Sequence, residues 1–121
     1  MASVLLVEDD HSTAELLRCI LQSSGYAITH YSDGRMALES AMAQRPDIIL
    51  LDLRLPGLDG WKFAQQARMD ASLTNVPIIA VSVRVSEEDE RRALEAGCTR
   101  YVSKPFSVNE LRQTVKQFLN A

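Results

Sequence analysis

The 121 residues suit one domain of common size, and a hydrophobic fraction of 46% with 24% charged side chains excludes a disordered chain. Thirteen basic against 16 acidic side chains leave a net charge of −3, which argues against direct nucleic-acid binding, since that calls for a basic patch. No stretch approaches a membrane span and no basic leader precedes a signal-length apolar run, so a cytoplasmic protein is expected. Cys19 and Cys98 are far apart and lack a CxxC or CxxH context, so they read as reduced small hydrophobes and not as zinc ligands.

Five short apolar or β-branched runs, near residues 3–8, 26–31, 47–53, 77–82 and 100–103, alternate with five segments of helical character. The first segment, 12–23, carries Leu16, Leu17, Ile20 and Leu21 at helical spacing, with a capping box from Ser12 to Glu15 and a stop at Gly25. The second, near 33–43, places Ala37, Leu38, Ala41 and Met42 on one face before Pro46. The third, near 60–69, offers Trp61, Ala64 and Ala67 for packing.

The fourth starts at a capping box from Ser86 to Asp89 and ends at Gly97. Its Glu87, Glu88, Asp89, Glu90, Arg91, Arg92 and Glu95 leave only Ala93, Leu94 and Ala96 as anchors. A helix with so little to bury is the one expected to move. The fifth follows a third capping box, Ser107 to Glu110, and carries Leu111, Val115, Phe118 and Leu119. Repeated alternation of this kind predicts an α/β fold with a parallel sheet covered on both faces.

The polar groups that break this pattern stand where strands end. Glu8, Asp9 and Asp10 follow the first run, Asp52 the third, Ser82 the fourth and Lys104 the fifth. Parallel strands bring those ends to one edge, where open α/β sheets bind ligands. Clustered carboxylates repel when ionised, and a magnesium ion relieves that repulsion. A carboxylate can act as a nucleophile toward phosphorus, and donors such as Lys104, the Ser82 hydroxyl and a main-chain N–H near Val83 would then meet the phosphoryl oxygens. His11, beside the acids, reads as an exposed loop residue, and His30 as a sheet-edge residue.

Four pieces, in this order and spacing, carry a resemblance over essentially the whole chain. They are VLLVEDD at 4–10, PDIILLDLRLPGLDG at 46–60, PIIAVS at 77–82 and YVSKPF at 101–106. The chain resembles the receiver domains of two-component response regulators. The resemblance implies a flavodoxin-like (βα)5 sheet in the order 2-1-3-4-5. It implies Asp52 as phosphoacceptor, fed by a histidine kinase or a histidine phosphotransfer protein. It implies a magnesium ion held by Asp9, Asp52 and the Arg54 main-chain carbonyl, with Glu8 acting partly through water. Ser82 and Tyr101 resemble the switch pair and Lys104 the phosphate-contacting lysine, and the Lys104–Pro105 peptide is expected to be cis. Such a protein is a phosphoacceptor assisting its own phosphorylation and dephosphorylation, not an enzyme in the ordinary sense.

Three residues depart from the family's pattern or crowd the acceptor. Val83 stands where Ala or Gly is usual, and Arg54 and Arg84 each lie two positions past a site residue, so the three are expected to restrict access to the phosphoryl group. A haloacid-dehalogenase-type phosphatase would need an acid two residues after its nucleophile, where Arg54 stands. A flavin site would want Ser, Thr and Gly in the acidic first loop, and a degenerate receiver would lack one of the acids or the lysine. The expected unit is one receiver domain over 1–121 without an output domain, monomeric or weakly dimeric. It would switch its surface of fourth helix, fifth strand and fifth helix toward a protein partner; the alternative is a relay receiver excised from a larger regulator or hybrid kinase.

Overall fold

The computed structural model describes residues 1–83 and 86–119. Five strands, β1 (Ser3–Val7), β2 (Ala27–Tyr31), β3 (Ile48–Leu51), β4 (Ile78–Val83) and β5 (Arg100–Lys104), alternate with five helices. The helices are α1 (His11–Ser23), α2 (Gly34–Ala43), α3 (Gly60–Met69), α4 (Glu87–Ala96) and α5 (Val108–Leu119). The strands form one parallel sheet in the order β2-β1-β3-β4-β5, as expected.

Strand residues alternate between the two faces. Leu5, Val7, Ile49, Leu51, Ile78 and Ala80 pack with α2, α3 and α4, and Val4, Leu6, Ile48, Leu50, Ile79 and Val81 pack with α1 and α5. The central strand β3 is buried throughout because both faces are covered.

Local details differ from the sequence-based expectation where one side chain outcompetes another. Helix α1 begins at His11, since the Asp10 carboxylate accepts from the Thr13 amide at 2.9 Å and its hydroxyl at 2.6 Å, and Ser12 and Glu15 lie inside the helix. An acid in extended conformation two residues earlier caps as well as a serine, so His11 is an exposed helical residue and not a loop one. Gly25 does follow the helix end, at φ +91°. Leu16, Met42 and Leu94 are exposed, which leaves α4 only Ala93 and Ala96 as buried residues. Phe63 is the fully buried aromatic of α3, while Trp61 is half-buried.

The capping serines Ser86 and Ser107 accept from the amides of Asp89 and Glu110 at 3.3 and 3.0 Å. Arg68 reaches from α3 to the carbonyls of Leu73, Thr74, Val76 and Gly97 and to the Thr99 hydroxyl, at 2.7 to 3.3 Å. Burial lowers its pKa, and its partners are neutral acceptors. The Lys104–Pro105 peptide is cis, as expected. No helix among the described residues is long and apolar enough to cross a membrane.

Candidate functional site

The parallel register brings the ends of β1, β3, β4 and β5 to one edge, and the chain places a polar residue at each. Glu8 follows β1 with 1% of its surface exposed, and its main chain is pinned from β2 on both sides. Its amide donates to the Tyr31 carbonyl at 3.1 Å, and His30 Nε2 donates to its carbonyl at 2.8 Å. The carboxylate accepts from Lys104 Nζ at 2.7 Å and from the Asp10 amide at 3.1 Å.

Asp52 follows β3 at 7% exposure, its amide donating to the Val7 carbonyl at 2.9 Å. Its Oδ1 accepts from the Arg54 amide at 3.0 Å and the Ser82 hydroxyl at 3.3 Å, and its Oδ2 lies 3.4 Å from Lys104 Nζ. Gly60 fixes the far side of this strand end: a Cβ there would stand 2.5 Å from Leu53 Cα and 2.8 Å from the Asp52 carbonyl oxygen. Only glycine allows that approach. Asp9 is exposed, and one oxygen each from Glu8, Asp9 and Asp52 lies within 4.8 Å of the others.

Burial, with the Asp52 carboxylate beside it, pushes the Glu8 carboxyl up to about 7. Burial also opposes the charge on Lys104, but the Glu8 and Asp52 carboxylates outweigh it and hold the ammonium above its usual range. One ammonium therefore leaves the acids under-compensated. Three oxygen donors with an exposed Asp9 on the open side suit a hard divalent cation such as magnesium.

Tyr101 is half-buried and its hydroxyl donates outward to the Val83 carbonyl at 3.1 Å, beyond the cluster. Burial, together with Asp89 and Glu90 of α4, raises its phenol pKa. The Val83 side chain is 55% exposed and lines a groove with Thr13, Leu16, Lys104, Pro105 and Phe106. Arg54 is exposed beyond Asp52, and Arg84 lies outside the described residues. His30 was legible as a sheet-edge residue, and in β2 it pairs with Leu6 of β1, but its bond to the Glu8 carbonyl left no mark in the sequence.

The response regulator receiver domain model matches residues 4–116. The polar-differentiation response regulator DivK of Brucella anthropi is 37% identical over 117 residues, covering 97% of this chain and 95% of that protein. Among solved structures, the receiver domain of the sensor histidine kinase PA1611 from Pseudomonas aeruginosa PAO1, with a magnesium ion in its active-site cleft, superposes with a TM-score of 0.92. It is 36% identical, over 99% of this chain and 98% of that one. The chemotaxis protein CheY4 of Vibrio cholerae is 32% identical at a TM-score of 0.92, covering 98% and 99%. Sequence match, sheet order and the acidic edge agree: the chain belongs to the receiver-domain family of two-component response regulators.

Proposed function

We propose that Asp52 accepts a phosphoryl group from a phosphohistidine on a histidine kinase or phosphotransfer protein. The observation that carries this is the position of Asp52, nearly buried, 3.4 Å from Lys104 Nζ and 3.3 Å from Ser82 Oγ, at the bottom of an acidic cluster. In the transfer the phosphorus–nitrogen bond of the donor breaks and a bond to an Asp52 carboxylate oxygen forms, leaving a neutral imidazole on the donor. Glu8, Asp9, Asp52 and the Arg54 carbonyl would hold a magnesium ion, which when bound supplies positive charge opposite the phosphoryl oxygens. Lys104 can move from Glu8 toward those oxygens, and the Ser82 hydroxyl can turn from the carboxylate to donate to them.

Phosphorylation adds about −1.5 to −2 charges where the carboxylates already repel. Ser82 would move toward the phosphoryl group, Tyr101 would leave the Val83 carbonyl and turn inward, and the surface of α4, β5 and α5 would change for a protein partner. Val83, on the groove that passes Lys104, restricts access together with Arg54 and Arg84, and so prolongs the phosphorylated state. The setting is cytoplasmic two-component signalling. The similarity to a kinase's own receiver at 36% identity gives a second reading, a relay receiver that passes its phosphoryl group onward.

Incubation with acetyl phosphate should add one phosphoryl group by intact-protein mass, in a magnesium-dependent way, and the Asp52→Asn variant should take up none. Uptake that persists without Asp52 would overturn the assignment. Transfer from the phosphorylated chain to an added phosphotransfer protein separates the relay reading from the switch reading.

A further inference from the structure

Helix α4 is attached to the fold unevenly. Residues 87–91 contain no buried side chain, and the first buried residue is Ala93. Two arginines supply what the alanines do not. At the C-terminal end, Gly97 at φ +123° packs against Arg68, where a Cβ would meet the Arg68 Cγ at 2.6 Å. Arg68 also holds the Gly97 carbonyl at 2.9 Å and the Thr99 hydroxyl at 3.3 Å, while the Thr99 amide donates to Ile78 at 2.7 Å. In the middle of α4, the Arg92 guanidinium lies 4.1 Å from the centroid of the Trp61 ring on α3. The indole N–H of Trp61 is buried and has no hydrogen-bond partner among the described residues, so this stack and apolar contact hold the ring.

The two attachments differ in kind. The Arg68 clamp satisfies several main-chain carbonyls at once and is costly to open, because opening it breaks all of these bonds together. The Arg92–Trp61 stack joins an exposed cation to a half-buried ring, and it can open without leaving a buried charge. The Tyr101 hydroxyl, on the Val83 carbonyl and within the field of Asp89 and Glu90, stands between the acidic cluster and the start of α4.

Resting on the phosphoacceptor reading above, we infer that α4 turns about its clamped C-terminal end and that the Arg92–Trp61 stack is the catch that this turn releases. The unphosphorylated state keeps the catch closed. Inward movement of Tyr101 frees the β4 end, the first turns of α4, which bury no side chain, swing away, and the ring of Trp61 becomes accessible.

Trp61 is the only tryptophan in the chain, so its fluorescence reads the catch directly. Beryllofluoride with magnesium serves as the phosphoryl mimic, its occupancy followed by fluorine NMR and the ring's exposure by acrylamide quenching. In the wild type, quenching should rise with occupancy to the level that Arg92→Ala shows without the mimic. Opening the catch in advance should let Arg92→Ala bind beryllofluoride roughly two- to five-fold more tightly, the equivalent of one exposed cation–π contact. Arg92→Lys should fall between that variant and the wild type. Amides of residues 97–99 should keep their exchange protection in both states while those of the first turns of α4 lose it.

Unchanged quenching at full occupancy overturns the catch, and so does equal affinity in Arg92→Ala and the wild type. Equal loss of protection at both ends of α4 overturns the pivot. Absence of any beryllofluoride binding removes the phosphoacceptor reading itself, a result distinct from the other three.

Discussion

Lys104 sits closer to Glu8 than to Asp52, at 2.7 against 3.4 Å, so without a cation the lysine serves Glu8 more than Asp52. Lys104→Met should therefore slow phosphoryl uptake and leave Glu8 without a positive partner, raising its carboxyl further; acetyl-phosphate kinetics and titration followed by carbonyl NMR check both. The raised Glu8 carboxyl also fixes the sign of a pH effect. From its ordinary 4.5 up to about 7, the folded chain holds a proton that the unfolded chain has lost. The contribution of Glu8 is thus favourable on acidification and is lost as pH rises through that window, while the lowered carboxyls of Asp10 and Asp70 act below 3.8, outside it. Melting temperature without divalent cations should fall as pH rises from about 5 to about 8, and apparent magnesium affinity should weaken as pH drops below about 7, where protons compete for the same oxygen. At this scale Asp52, Ser82 and Lys104 were legible because a polar residue ending an apolar run stands out. His30 was not, because its partner is a main-chain carbonyl that any residue could supply.

Helix α4 shows how caps and anchors trade at the level of an element. Its N-terminal serine holds one amide and its first turn carries four acids that favour the helix N-terminus, yet it buries only two alanines. Ser86→Ala should cost about 1 kcal/mol of local stability, read as faster exchange of α4 amides against unchanged exchange in α1. The weakness of this helix was legible in its run of charges. Its attachment was not, since the carbonyls that Arg68 gathers from the 73–76 turn and Gly97 leave no mark in the sequence. Helix α1 gives the opposite lesson. Its body followed from spacing, but its start moved because Asp10, weighed only as part of an acidic cluster, is also its cap.

Over the whole molecule, apolar periodicity predicted layers and parallel pairing, because a strand buried on both faces can be little else. Phe63→Ala, in the core between sheet and α3, should cost about 3–5 kcal/mol of global stability by denaturant unfolding. Magnesium at about 100 times its dissociation constant should add about 2.7 kcal/mol, an increment that Asp9→Asn should largely abolish. The sheet separates an α2–α3–α4 core from an α1–α5 core, with neighbouring strand residues committed to opposite sides. The sheet therefore works as an electrical insulator does between two conductors. A switching surface of α4, β5 and α5, as proposed, spans both cores, so its two helices communicate around the β5 edge and not through the sheet.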